Sequence, residues 1–65
     1  MLKDRRVLLE SEVAKLKKEA AFLYLEIVKG YEGLNTQYKD VQKRLRERQD
    51  ELISVNYLIE IENLE

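Results

Sequence analysis

The sequence predicts an all-α protein, a long coiled-coil helix that associates with other helices, and three observations support this prediction. Apolar residues recur at alternating spacings of three and four along most of the 65 residues, which is a heptad pattern. Proline is absent and glycine occurs only twice, so little interrupts a helix. Lysine, arginine, aspartate and glutamate make up 38% of the chain, as expected for solvated helix surfaces beside a narrow apolar seam.

The first half of the chain sets the heptad register. Leu9 and Leu16 occupy the d position, and Val13 occupies the a position between them. β-Branched residues at a with leucine at d favour two parallel strands. In a parallel dimer, Glu12 would also pair with Lys17 of the other strand. This half therefore predicts a parallel homodimer, with a tetramer as the larger assembly.

The segment Leu9–Lys18, which reads LESEVAKLKK, resembles the core of leucine zippers in basic-zipper transcription factors. It is also similar to the trigger pattern of parallel two-stranded coiled coils. The resemblance implies that this segment nucleates a helix and dimerises. Basic-zipper proteins carry a long basic helix before the zipper, whereas here only Lys3, Arg5 and Arg6 precede it. We therefore do not expect DNA binding.

The heptad register shifts by four residues within the range 28–36, where both glycines lie. In one arrangement a continuous helix runs through this range, and the absence of proline favours it. In the other, the chain turns at Gly30–Thr36, with Gly30 in the left-handed region and Asn35 or Thr36 starting a second helix. Such hairpins would assemble into a four-helix bundle. We predict the continuous helix and retain the hairpin as the alternative.

Both arrangements treat residues 1–65 as a single coiled-coil segment with one apolar seam. Arg48 is a charged residue within this seam, where it either specifies the register or extends its side chain out to water. In a hairpin folded about residue 34, Arg48 would face the small Ala20. The predicted self-association seam comprises Leu2, Leu9, Val13, Leu16, Ala20, Leu23, Ile27, Tyr31, Leu34, Tyr38, Val41, Leu45, Arg48, Leu52, Val55 and Ile59.

Apolar residues also occur off the seam, and these predict a further contact. A stripe at the b position runs beside the seam in the first half, and more apolar residues cluster at 20–28 and 52–64. A helix that is apolar on more than its seam is usually covered by more than one neighbour. The candidate partner face comprises Phe22, Tyr24, Leu25, Ile53, Tyr57, Leu58 and Ile61.

The composition argues against catalysis and against metal or cofactor binding. Histidine and cysteine are both absent, so the usual general base and the commonest zinc ligands are missing. The carboxylates would lie on an extended helix surface with no cleft to shift their pKa. We therefore expect a non-enzymatic protein with no catalytic residues, cofactor or metal.

Charge and hydropathy restrict the remaining partners. Twelve basic residues balance thirteen acidic ones, which argues against a nucleic-acid partner. The longest apolar run, 20–25, is far shorter than the roughly 18 to 20 residues that cross a bilayer, so we expect no membrane insertion. Lys3 and Asp4 interrupt the first apolar residues, unlike a secretory signal. We expect an intracellular, cytoplasmic protein.

These observations predict an oligomerisation and scaffolding coiled coil from a larger structural, cytoskeletal or trafficking protein. The alternative is a protein-binding module whose off-seam apolar residues receive a helix of a different protein. The expected partner is therefore a second copy of the chain or a helix of another protein.

Overall fold

A computed structural model describes residues 1–64 and consists of two helices joined by a tight turn. Helix α1 spans Leu2–Val28, a short 3-10 helix spans Glu32–Leu34, and helix α2 spans Asn35–Leu64. No strand occurs within these described residues. The prediction of an all-α protein is confirmed.

The chain folds back on itself instead of continuing as one helix, so it adopts the hairpin that was the alternative arrangement. A continuous helix of this length would extend about 95 Å. The longest dimension of the structure is 54 Å, and the other two are 14 Å each. The two helices therefore lie side by side and antiparallel.

The turn begins with a Schellman motif at the carboxyl end of α1. Gly30 has a φ of 112°, in the region that residues with a Cβ rarely adopt. Its N–H donates to the Ile27 carbonyl at 2.9 Å, and the Tyr31 N–H donates to the Glu26 carbonyl at 3.2 Å. These two bonds pair the carbonyls of Glu26 and Ile27, which lie in the last turn of α1 and would otherwise lack a partner within the helix.

One backbone bond and one side-chain bond redirect the chain into α2. Tyr31 has φ −85° and ψ 73°, an inverse γ-turn geometry. The Glu32 N–H donates across this turn to the Gly30 carbonyl at 3.0 Å. Asn35 is the first residue of α2, and its Nδ2 donates back to the Glu32 carbonyl at 2.9 Å. The glycine and the asparagine that the hairpin alternative assigned to the turn therefore act as helix stop and helix start.

The core of the hairpin is formed by the predicted seam. Every seam side chain is buried or half-buried except Tyr31, which is 61% exposed. Leu9 is fully buried at the open end, opposite the turn, where it packs in one cluster with Val55 and Ile59. The buried residues of the core are Leu9, Val13, Leu23, Val41, Val55 and Ile59.

The pairing of the two helices is shifted by about eight residues, close to one heptad, from the register expected for a hairpin. Arg48 lies opposite Glu12, with Nε 2.7 Å from Oε2, and not opposite Ala20. Near the turn, the rings of Tyr24 and Tyr38 lie 6.0 Å apart. Both pairs place the centre of the reversal near residue 31, because Gly30 ends α1 earlier than a turn centred on residue 34 would require.

Candidate protein-interaction surface

The predicted self-association seam lies inside the hairpin. Its side chains pack between α1 and α2 of the same chain, so most of their apolar surface is already covered. A second molecule could use this seam only if the hairpin opened. Any partner of the closed hairpin must therefore contact residues outside the seam.

The candidate partner face, by contrast, is exposed throughout. Its side chains range from 37% exposed for Ile61 to 67% exposed for Ile53. Tyr24 is partly covered by its contact with Tyr38 but still 55% exposed. The structure does not join these residues into one face. They form two separate groups, one on each helix.

The group near the turn belongs to α1 and the group near the open end belongs to α2. We name the first the turn-side stripe: Phe22, Leu25 and Val28, which follow one another at spacings of three. We name the second the open-end stripe: Ile53, Tyr57, Ile61 and Leu64, at spacings of three and four. Such spacings place side chains beside one another on a helix surface.

Four exposed large apolar residues of α1 and α2 were assigned neither to the seam nor to the partner face. Val7 is 64% exposed, Leu8 49%, Val28 67% and Leu64 87%. Val7 and Val28 were visible as members of the b-position stripe beside the seam. In a hairpin only the a and d positions face the other helix, so the rest of the apolar side chains stay at the surface.

One broad face of the hairpin carries ion pairs between the helices. Arg5 donates to the Glu51 carboxylate, and Arg48 donates to the Glu12 carboxylate. Leu16 and Lys15 border the second pair in an open groove. We name this side the ion-pair face.

The opposite broad face carries a groove along α2 that is lined by cations. Lys39, Lys43 and Arg46 line it together with Gln42, Leu45 and Gln49. Within residues 1–64 these three cations form no ion pair, whereas Arg44 on the other side of the helix pairs with Asp40 at 3.2 Å. We name this side the basic-groove face.

Charge is distributed unevenly along the length of the hairpin. The Glu12–Arg48 pair divides it into a turn half, 14–46, and an open half, 1–13 with 47–64. The turn half has eight lysines and arginines against four carboxylate side chains, a net charge of +4. The open half has four against eight, a net charge of −4. The near-zero total therefore conceals a strong dipole.

Neither a group of metal ligands nor a membrane-spanning helix is found within the described residues. Within residues 1–64, no group of three or more aspartate or glutamate side chains is placed to hold a metal ion. Neither described helix combines the length and the hydropathy needed to cross a membrane. No family model, curated protein or solved structure matches this chain. Its function is therefore inferred from its surface.

Proposed function

We propose that this chain is a non-enzymatic oligomerisation and scaffolding module, a helical hairpin that associates through its off-seam apolar residues. The observation that carries the proposal is the amount of apolar surface left open. Thirteen large apolar side chains are exposed in residues 1–64, against six apolar side chains that are buried. Contiguous apolar patches of this kind usually mark a protein contact.

The total surface area supports the same proposal. The chain exposes 5374 Å². A compact monomer of 7.8 kDa exposes about 4,400 Å² by the usual scaling with mass, roughly 1,000 Å² less. One partner in a standard protein interface covers about 800 Å². The excess therefore matches the area that one such contact would bury.

The core of the hairpin is small, so association with another chain would stabilise the fold. Two helices with a single row of buried side chains bury a small fraction of their surface, and chains of this size often need further support. The hairpin has no cysteine for a disulfide. Covering the turn-side and open-end stripes would add apolar burial that the isolated hairpin lacks, at about 25 cal/mol per Å².

The wider role follows from the class of fold and is proposed by analogy alone. Helical association modules hold the parts of structural, cytoskeletal and trafficking proteins together. We place this chain in that group, as a segment that brings copies of a larger protein into contact.

The test of the proposal is the mass of the chain in solution, measured by light scattering and sedimentation equilibrium. We expect a dimer or tetramer of hairpins. The variant Leu25→Ser with Tyr57→Ser removes one side chain from each stripe and should shift the mass to a monomer while far-ultraviolet circular dichroism stays helical. The matched control, Lys15→Ser with Glu47→Ser, changes two exposed polar residues on the same helices and should keep the assembly.

A wild-type chain that is monomeric and fully helical at every concentration would contradict self-association. It would leave the second candidate function, a binding module for a helix of a different protein. That candidate is favoured by the stripe spacings of three and four, which match the anchor spacing of helix-in-groove recognition. If the chain is such a binding module, its helicity or its stability should increase when the partner is added.

A further inference from the structure

We infer that the chain associates with a second copy of itself, docked antiparallel on the basic-groove face, so that the turn half of each copy contacts the open half of the other. The inference rests on the proposed function and adds the partner, the face and the orientation. Charge complementarity and the excess surface area carry it.

The position of the basic-groove face on α1 follows from the ion pairs. In an antiparallel helix pair, side chains at the g positions of both helices share one face and those at the e positions share the other. With Leu9 at d, Arg5 is at g in α1, and with Leu45 and Leu52 at a, Glu51 is at g in α2. Arg5 and Glu51 are in contact on the ion-pair face. Lys17 and Tyr24 of α1 are at e, so they lie on the same side as the groove of α2.

On the basic-groove face and its outer edge, the two halves carry opposite charge. The cations of the turn half are Lys17, Lys18, Lys39, Lys43 and Arg46, with no carboxylate of either helix among them. The open half carries Asp4, Glu10, Asp50 and Glu60 against the single cation Lys3. Glu10 also lies 3.8 Å from Arg6 within α1. This face therefore has a sharper charge division than the molecule as a whole.

An antiparallel two-fold arrangement matches these charges. With the axis beside Ala14, residue n of one α1 faces residue 28 − n of the other, which brings Glu10 beside Lys17 and Lys18 of the second copy. The same axis crosses α2 near residue 47, because Glu12 and Arg48 lie at one level of the hairpin. Lys43 then lies within one residue of the Asp50 position of the second copy.

Apolar side chains on the same face are brought together by the same alignment. Val7 of one copy faces Ala21 of the other, and both are exposed in the single hairpin. Each such contact forms twice, because a two-fold interface is self-complementary. A parallel arrangement would instead place the +4 half against the +4 half and the −4 half against the −4 half.

The orientation can be measured with spin labels, because the chain has no cysteine and single substitutions carry the label. In the antiparallel dimer of Lys29→Cys, the two labels would lie about 45 Å apart, from thirty residues at 1.5 Å each. A mixture of Lys29→Cys and Asn63→Cys chains should show an additional short distance, below about 25 Å.

The label distances distinguish the antiparallel dimer, a dimer of another orientation and a monomer. A long Lys29→Cys distance with a short mixed distance supports the antiparallel dimer. A dimer with a short Lys29→Cys distance overturns the inference and leaves the proposed self-association standing. The absence of any distance between copies, together with a monomeric mass, overturns both.

A charge variant tests which face is covered. Lys43→Glu reverses a cation of the groove, and Lys15→Glu reverses an exposed lysine of the turn half on the ion-pair face. We expect Lys43→Glu to weaken the dimer several-fold more than Lys15→Glu at about 0.15 M ionic strength, where charges farther than about 8 Å apart are screened. Equal weakening, or a larger effect of Lys15→Glu, would overturn the choice of face. Circular dichroism would check that both variants remain helical.

Discussion

Leu9 is the most deeply buried side chain of the hairpin, and its replacement gives the most direct test of the core. Its relative exposure is 0%, and it packs against Val55 and Ile59 of the other helix. Leu9→Ala should lower the free energy of unfolding by about 2 to 5 kcal/mol, through lost burial and the cavity left behind. Urea denaturation followed by circular dichroism measures this change.

Leu8 provides the control, since it is the same residue type one position away and is 49% exposed. Leu8→Ala should change the unfolding free energy by less than about 1 kcal/mol, because much of its surface is already in water. Similar effects at the two positions would contradict the orientation of α1.

The Glu12–Arg48 pair is a second test at the residue scale. Its atoms lie 2.7 Å apart, but both side chains are more than a third exposed. A double-mutant cycle with Glu12→Gln and Arg48→Met should therefore give a coupling energy of only about 0.5 to 1 kcal/mol, decreasing as salt is added. A coupling energy of zero at low salt would show that the pair does not form in solution.

Individual charge pairs illustrate what the sequence could not decide. Arg5 and Glu12 could also form ion pairs in a parallel dimer, where Glu12 faces Lys17 of the other strand. In the hairpin, Arg5 pairs with Glu51 and Glu12 with Arg48. Long charged side chains reach several positions on a neighbouring helix, so charge at e and g positions does not by itself determine the direction of the strands.

At the scale of the elements, the turn explains why the sequence favoured one helix and the structure has two. Two glycines inside a helix cost only about 1 kcal/mol each, so they do not forbid continuity. Folding back, however, raises the local concentration of the second helix to the millimolar range, which no separate chain matches in dilute solution. Periodicity identified the positions that the hairpin buries or half-buries, with the exception of Tyr31. It could not show that these positions pair within one chain, because the intramolecular advantage leaves no periodic pattern.

The two glycines should respond in opposite directions to the same substitution. Gly30→Ala forces a Cβ into a φ of 112° and should cost roughly 1 to 2 kcal/mol. Gly33 has no such conformation, and an added Cβ meets no atom within 4 Å. Gly33→Ala should therefore stabilise the hairpin by about 0.4 to 1 kcal/mol, by restricting the unfolded chain.

Thermal and urea unfolding of the two variants measure these changes. A continuous helix would gain stability from both substitutions, since alanine is the better helix former at each position. Stabilisation by Gly30→Ala, accompanied by a longer particle, would therefore contradict the hairpin.

At the scale of the whole molecule, association should make thermal stability depend on protein concentration. A partner that binds only the folded state raises the apparent stability by mass action. For a chain of this size, each 1 kcal/mol gained in this way raises Tm by roughly 4 to 8 °C. Differential scanning calorimetry over a hundredfold range of concentration measures the rise. A Tm that stays constant over that range would contradict self-association and leave the closed hairpin unaffected.

The antiparallel arrangement also determines how the molecule would respond to mechanical load. Residues 2 and 64 belong to the same end of the hairpin, away from the turn. A force pulling these two residues apart would load the Leu9, Val55 and Ile59 cluster first and the layers nearer the turn afterwards. The core would separate one layer at a time, as a zipper opens, instead of sliding as a whole. Such a hairpin would unfold gradually under tension. A continuous coiled coil pulled along its length would instead bear the force on all of its core layers at once.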